Sequence, residues 1–160
     1  ALPIVEDDAY GMLPREPLPP LAALAPELTY YITGFSKCLG AGLRTAYVHA
    51  PGERQAQRLA GALRATTVMA SPVTNALATR WVTDGTAEAM LHAVRSASMA
   101  RQALAAQHLA KHGMVAQAEG FHLWLPLVSS WSVVEFASYL RTRGVGVVAY
   151  RVAMPEAGRA

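Results

Sequence analysis

Short apolar runs alternate along the chain with segments in which apolar residues recur every three or four positions. The short runs predict strands, and the longer period predicts helices. Strands are predicted at residues 1–5, 30–35, 45–50, 115–118, 121–127 and 145–150, and helices at about 51–65, 71–82, 86–111 and 132–141. This alternation of strands and helices predicts an α/β fold.

The predicted helix at residues 86–111 is the longest element and divides the chain. About 25 residues at 1.5 Å each span roughly 37 Å, enough to bridge two lobes. We expect a partial large domain over residues 1–85, and the bridging helix with a small α/β lobe over residues 86–160. The first apolar run begins at the first residue, as in a central strand that needs further neighbours. We therefore expect part of a larger sheet, with open edges and self-association.

A Ser-Lys pair, Ser36 and Lys37, follows the apolar run at residues 30–35, and a glycine-containing loop leads from it to Arg44. Removing an ammonium from water favours its neutral form, which attacks carbonyls. A guanidinium fork fits a phosphate. An amine for an aldehyde and a guanidinium for a phosphate together indicate pyridoxal 5′-phosphate (PLP). The alternative is a solvated loop lysine and a surface arginine.

Three acids and a tyrosine follow the first apolar run. Ligands of open α/β sheets lie at the carboxyl ends of strands, which is where Glu6, Asp7, Asp8 and Tyr10 fall. A carboxylate there pairs with a protonated pyridine nitrogen and keeps the ring an electron sink. The alternative is a solvated turn or a helix cap.

Composition limits the class of protein. The chain has 160 residues, of which 52% are hydrophobic and 16% charged, so it should fold. The net charge of +3 is spread without a basic run, so we expect no nucleic-acid contact by this segment. One cysteine, Cys38, excludes an internal disulfide and fits a reducing cytoplasm. It is either a thiol nucleophile or a packing residue. No signal peptide or membrane-spanning run is visible.

Two further patterns each have two interpretations. His108 and His112 have metal-compatible spacing, yet histidines in a last helical turn also complement the helix dipole, and no third ligand is in view, so no metal site is expected. His122 and Trp124 share one face of a predicted strand, which is either a packed surface or the ceiling of a cleft.

Residues 4–10, 33–37 and 42–47 resemble the fold-type I PLP-dependent aminotransferases. The resemblance implies that Lys37 bonds the cofactor's aldehyde, that Asp7 pairs with the pyridine nitrogen and that Tyr10 contacts the ring oxygen. It also implies that Ser36 and Arg44 bind the phosphate.

Residues 64–72 and 120–127 are more narrowly similar to MocR-type regulators of the GntR family. The resemblance implies an aminotransferase-like effector domain behind an N-terminal winged-helix DNA-binding domain. The expected ligand is a small amino compound, with a homodimer or other self-association as the assembly. The alternatives are part of a free-standing aminotransferase, and a segment that binds no cofactor.

The chain departs from the aminotransferase pattern in three ways. It lacks the half of the large domain that carries the phosphate loop and the aromatic residue stacking on the ring, so weak or absent cofactor binding and no activity are expected of it alone. Gly34 stands where some relatives have a hydroxyl residue. Arg159 is the candidate for gripping a substrate carboxylate, in a C-terminal pattern shorter than the family's.

Overall fold

The larger sheet brings three chain segments to one edge. A computed structural model describes residues 2–127 and 130–148. Strands β1 (Ile4–Asp7), β2 (Thr29–Gly34) and β3 (Ala46–His49) form a sheet in that order. β1 and β2 are parallel, with Asp7 opposite Ile32. β3 is antiparallel, with Ala46 opposite Gly34. The carboxyl ends of β1 and β2 and the start of β3 therefore lie side by side at one end of the sheet, its carboxyl edge, where the sequence predicts the site.

The helices confirm the periodic pattern closely. They are α1 (Leu21–Leu24), α2 (Glu53–Thr66), α3 (Pro72–Thr83), α4 (Thr86–Leu109) and α5 (Val133–Arg141). Two 3₁₀ turns lie at Ala41–Leu43 and Ala110–His112. A short antiparallel pair, β4 (Val115–Ala116) and β5 (Leu123–Trp124), follows α4. Both strands are much shorter than the predicted 115–118 and 121–127. Among the described residues, no helix has the length and apolarity needed to cross a membrane.

Local sequence signals explain where the helices begin. Ser71 accepts a hydrogen bond from the Thr74 amide at 3.4 Å, and Pro72 occupies the first turn of α3. Ser132 and Glu135 form a reciprocal capping box at the start of α5. α3 and α4 meet at Gly85, whose φ of 83° lies in the left-handed region that glycine enters without steric cost.

The core lies between the turn after β2 and the two central helices. Its buried residues are Phe35, Cys38, Leu39, Leu43 and Ala78, with Trp81, Ala87, Met90 and Leu91 packed against them. Burying a side chain the size of leucine contributes about 1.5–3 kcal/mol. The turn that carries Lys37 is therefore anchored by its own neighbours to α3 and α4. Cys38 is 2% exposed and packs in this core. Of its two interpretations, this position fits a packing residue.

Three details of the sequence interpretation are wrong. The structure has no strand at residues 145–148, and the remaining two residues of that predicted strand lie outside the described range. The pattern of the helix predicted at residues 71–82 places Leu77 inward, but its side chain is 38% exposed. The apolar run at residues 30–35 predicts a buried strand, but β2 is half-buried at every residue after Thr29, and its neighbour β3 is exposed throughout. An apolar run shows that a strand can be buried on both faces. How much of its surface is buried depends on the elements that pack against it.

Candidate functional site

Lys37 lies in a single helical turn that follows β2. The amides of Leu39 and Gly40 both donate to the Phe35 carbonyl, at 2.9 and 3.0 Å, and close this turn. Cys38 and Leu39 point into the core, so the turn presents Lys37 to the opposite side, where it is half-buried. The lysine is therefore held on a packed and hydrogen-bonded scaffold.

An aromatic group covers the Lys37 amine. Its Nζ lies 5.3 Å from the centre of the Tyr10 ring. Tyr10 in turn meets Phe121 edge-on, with ring centres 6.0 Å apart, and His122, with centres 5.1 Å apart. A cation above an aromatic face gains about 0.5–1 kcal/mol at an exposed site. Tyr10 therefore links the acidic turn after β1 to the amine after β2 and to the loop before β5.

A cavity of about 270 Å³ adjoins this amine. Ser36 and Lys37 line it from the turn after β2, and Phe121 lines it from the loop before β5. Its α4 wall is made of Val94, Ala97 and Arg101. A neighbouring cavity of about 140 Å³ shares Arg101 and Phe121 and is also lined by Ser98, Gln102 and Gly120.

The three acids after β1 have different partners. The Glu6 carboxylate accepts hydrogen bonds from the Leu21 and Ala22 amides at 2.7 and 2.9 Å, so it caps α1. Asp8 accepts a bond from the Tyr31 hydroxyl at 2.7 Å. Asp7 is exposed, and its carboxylate has no hydrogen-bond or ion partner within residues 2–127 and 130–148. The capping interpretation thus holds for Glu6, and Asp7 is left available for a ligand.

The hydrogen bond to Asp8 and, secondly, burial raise the pKa of Tyr31 above its ordinary value. A carboxylate accepting the phenolic proton favours the neutral phenol, because removing that proton would place two negative charges together. Asp8 is therefore a structural carboxylate next to Asp7, and it links the end of β1 to β2 through Tyr31.

Arg44 lies at the same sheet edge, two residues before β3 begins. It has φ 49° and ψ 36°, a left-handed conformation uncommon for a residue with a side chain. The next residue, Thr45, is buried and bonds the Leu43 carbonyl at 3.2 Å and the Asn75 side chain at 3.3 Å. Arg44 itself is exposed and does not line the cavity beside Lys37.

Gly34 explains one departure from the aminotransferase pattern. A Cβ atom at this position would lie 2.9 Å from the Thr45 carbonyl oxygen, closer than side-chain carbons approach. β2 and β3 are packed too tightly here for a hydroxyl side chain. The glycine is therefore required by the approach of these two strands.

The structure brings together three of the predicted site residues: Ser36 and Lys37 line one cavity, and the Tyr10 ring lies next to the Lys37 amine. Asp7 and Arg44 lie at the same sheet edge, with both side chains exposed. Arg159 lies outside the described residues. His108 and His112 belong to no cluster of metal-ligating side chains within the described part of the chain.

Sequence reasoning missed the lining residues Arg101 and Phe121. Val94, Ala97 and Arg101 are spaced three and four apart, which places them on one face of α4. That spacing was visible, but nothing in it indicated that Lys37 lies opposite this face. His122 and Trp124, the two residues of the strand face with two interpretations, line neither cavity. His122 lies against the Tyr10 ring, with centres 5.1 Å apart, and Trp124 is 46% exposed, while the adjacent Phe121 lines both cavities.

No family model matches the chain. Two similar proteins are uncharacterized HTH-type transcriptional regulators of Bacillus subtilis (strain 168). YdeF is 30% identical over 146 residues, covering 91% of this chain and 31% of YdeF. YisV is 32% identical over 152 residues, covering 90% of this chain and 31% of YisV. The chain thus spans about a third of the length of these relatives.

A solved structure with a similar fold is LysN, the α-aminoadipate aminotransferase of Thermus thermophilus, determined in complex with N-(5′-phosphopyridoxyl)-L-leucine. The TM-score is 0.74 at 24% identity, covering 91% of this chain and 40% of LysN. The chain has an aminotransferase-like fold. The fold class predicted from the sequence, including its likeness to fold-type I aminotransferases, is confirmed at this level.

Proposed function

We propose that this chain is the aminotransferase-like effector-binding part of a MocR-type regulator of the GntR family, and that it holds PLP at Lys37. One observation carries the proposal: the Lys37 amine lies beneath the Tyr10 ring, and Lys37 lines a cavity at the carboxyl edge of the sheet. The regulator names of two relatives and the aminotransferase-like fold support it.

The residues present fit the cofactor chemically. Lys37 supplies an amine for the aldehyde, and Ser36 supplies a hydroxyl on the same cavity wall. Asp7 offers a carboxylate with no partner among the described residues, suited to a pyridine nitrogen, and Tyr10 adjoins the amine. Arg44 offers an exposed guanidinium at the same edge for the phosphate. When bound, PLP supplies an electron-withdrawing ring next to the amino group of the ligand.

Each residue has a task that depends only on its own chemistry. Tyr10 orients the Lys37 amine and, with Phe121, keeps water from that side of it. Lys37 carries or releases a proton at Nζ as an amino compound enters. Asp7 offers a carboxylate and Arg44 offers a guanidinium at the carboxyl edge of the sheet.

The proposal also assigns a route for the signal. One wall of the cavity is the turn after β2, and the other is α4. Occupancy would change the packing of a 24-residue helix that leads into the β4–β5 pair and α5. We propose that this motion changes the DNA-binding state of a preceding winged-helix domain in the cytoplasm, with the division at residues 1–85 and 86–160.

The alternative function is part of a free-standing aminotransferase that moves an amino group from an amino acid to a 2-oxo acid. The similarity to LysN favours it. Lys37 would then also shuttle a proton to and from the substrate carbon. A winged-helix sequence in the same open reading frame supports the regulator, and transamination by the full-length protein supports the enzyme.

The test of the cofactor site uses the full-length protein incubated with PLP. We expect a visible absorption band that borohydride fixes covalently, with the added mass on the peptide containing Lys37. Lys37→Ala should abolish the band, and Lys111→Ala is the matched control, because Lys111 is the other lysine of the chain and is exposed. A band that survives Lys37→Ala would contradict the assignment.

A further inference from the structure

One face of α4 holds the loop that precedes β5. The Ser98 hydroxyl, in a side chain that is 4% exposed, donates to the Gly120 carbonyl at 2.6 Å. Gln102 Nε2 donates to that carbonyl at 2.7 Å and to the His122 carbonyl at 3.0 Å. Positions four apart lie on the same face of a helix. Three hydrogen bonds from this face therefore hold residues 120–122, here called the cover segment, against α4.

The orientation of the Gln102 amide is set by these bonds. Its amino group carries two protons, one for each carbonyl that it meets. The reverse orientation would place Oε1 against two carbonyl oxygens, none of which can donate. Oε1 itself is buried and has no partner among the described residues. The amide is therefore held by its donor side alone, and what it holds is the cover segment.

The cover segment supports the Tyr10 ring. Phe121 meets the ring edge-on with centres 6.0 Å apart, and His122 meets it with centres 5.1 Å apart. Tyr10 is 38% exposed, so its position is not imposed by burial in the core. The Lys37 Nζ lies 5.3 Å from the centre of the same ring. A continuous series of contacts thus runs from α4 through the cover segment and Tyr10 to the amine.

The same face of α4 also holds the chain that follows Tyr10. Arg95, three residues before Ser98, donates to the backbone carbonyls of residues 12–14 at 2.7, 2.7 and 3.1 Å. An ion pair of 3.8 Å between Arg15 and Glu119 joins this loop to the residue before the cover segment. One helix face therefore fixes both the backbone next to Tyr10 and the aromatic groups that contact its ring.

We infer that Ser98 and Gln102 are positioning residues of the amine site. They hold the cover segment against the Tyr10 ring, and the ring in turn stays over the Lys37 amine. The importance of this arrangement for a cofactor rests on the proposed function, whereas the positioning itself does not need one. A ligand that displaces the ring would act on α4 through the cover segment, which gives the proposed signal its contacts.

The experiment measures how accessible the Lys37 amine is in the full-length protein without PLP. The protein is treated briefly with the N-hydroxysuccinimide ester of acetic acid, and mass spectrometry gives the ratio of acetylation at Lys37 to that at Lys111. Lys111 is the internal reference, because it is exposed and is the other lysine of the chain. Tyr10→Leu should raise the ratio by about two- to five-fold, the factor equivalent to an exposed cation–π contact.

Gln102→Met removes both donor bonds of the amide and keeps an unbranched side chain without adding charge. It should raise the ratio by about two-fold or more, up to the value of Tyr10→Leu. Ser98→Ala is the milder change, since Gly120 keeps one donor, and it should act in the same direction. The two together should exceed the sum of their separate effects, because they share one carbonyl. Gln107→Met, on an exposed part of α4, is the matched control and should leave the ratio unchanged.

A further pair of variants tests whether Gln102 acts through Tyr10. In the Tyr10→Leu protein, adding Gln102→Met should not change the ratio further, whereas a general loosening of the fold would raise it again. Thermal unfolding of each variant confirms that the comparison is made between folded proteins.

The outcomes separate this inference from the proposed function. An unchanged ratio in both Gln102→Met and Ser98→Ala overturns the inference. So does an equal rise in Gln107→Met, or a full further rise when Gln102→Met is added to Tyr10→Leu. Absence of a Lys37-dependent band with PLP in the wild type overturns the proposed function, and the acetylation ratios still decide the positioning.

Discussion

The Tyr31 hydroxyl donates a 2.7 Å hydrogen bond to Oδ2 of Asp8, joining the middle of β2 to the residue that follows the parallel strand β1. This bond and burial raise the pKa of Tyr31. A group whose pKa is raised on folding stabilises the protein below its unfolded value and loses that contribution as the pH rises through the folded value. We therefore expect the free energy of unfolding to fall above about pH 10.

Tyr31→Phe tests this relationship. It should lower the free energy of unfolding at neutral pH by about 1 kcal/mol, less than the roughly 1.5–3 kcal/mol of bonds to charged groups, because the pair is only part-buried. The variant should also lose the part of the alkaline destabilisation that Tyr31 contributes. Chemical denaturation at neutral pH and at about pH 11 measures both. An equal alkaline loss in wild type and variant would contradict the assignment.

Arg95 fixes the loop that follows Tyr10. Its guanidinium donates to the carbonyls of Met12, Leu13 and Pro14 at 2.7, 2.7 and 3.1 Å. Arg95→Gln should lower the free energy of unfolding by about 2–3 kcal/mol, because charge-assisted bonds to a loop with a buried leucine are lost. Arg54→Gln on α2 is the control and should cost less than about 0.5 kcal/mol. Equal effects in urea denaturation would show that the loop does not depend on Arg95.

Cys38 reports on the integrity of the core beneath Lys37. Burial raises the pKa of its thiol, and its side chain is 2% exposed. Since the thiolate is the reactive form, we expect Ellman's reagent to react slowly with the folded chain at about pH 8 and at once after unfolding. Because the chain has one cysteine, the signal has one source. Fast reaction in the folded chain would mean that the turn after β2 opens readily.

The capping box of α5 predicts an acid-sensitive helix. Hydrogen bonds from the Ser132 side chain and, secondly, the Ser132 amide lower the pKa of Glu135. A carboxylate with a lowered pKa stabilises the fold above its unfolded value and loses that contribution as the pH falls through the folded value. We expect the amides of α5 to exchange hydrogen faster, relative to those of α3, as the pH falls below about 4.

Two substitutions separate the parts of this cap. Ser132→Ala should weaken the helix by about 1 kcal/mol at neutral pH. Glu135→Gln should remove the acid dependence of α5 exchange, because the amide does not titrate. An unchanged acid dependence in Glu135→Gln would place its origin elsewhere.

The sheet predicts self-association of the isolated 160-residue chain. Every residue of β3 is exposed, and Val5 of β1 is 67% exposed. Open strand edges pair with other chains, and a charge on the edge opposes this. We expect concentration-dependent sedimentation that Val48→Lys on β3 reduces and Leu18→Lys, in a loop and 88% exposed, does not. Monomeric sedimentation at high concentration would contradict the prediction.

Local signals made most of the fold predictable. The serine caps at Ser71 and Ser132 and the period of α4 act within one turn of the chain, so they located the helices to within a few residues. The strands after α4 were predicted too long, because strand length is set by pairing, and only Val115–Ala116 and Leu123–Trp124 pair.

The candidate site was predictable in part. The residue types at Asp7, Lys37 and Arg44 indicated their chemistry, and strand register explains why one sheet edge collects them. The different hydrogen-bond partners of the acids could not be predicted from the sequence. Glu6 accepts from an α1 amide and Asp8 accepts from Tyr31, and both partners are distant in sequence.

The sequence by itself determined the elements and the chemical groups of this protein, since helix period, capping and side-chain chemistry are properties of neighbouring residues. Only the tertiary structure decided that Tyr10 lies over the Lys37 amine and that Arg101 shares its cavity. Those relations join segments that are far apart in the chain, and they depend on how α4 packs against the turn after β2. Packing of this kind is fixed by shape and burial across the whole core, which no local pattern encodes.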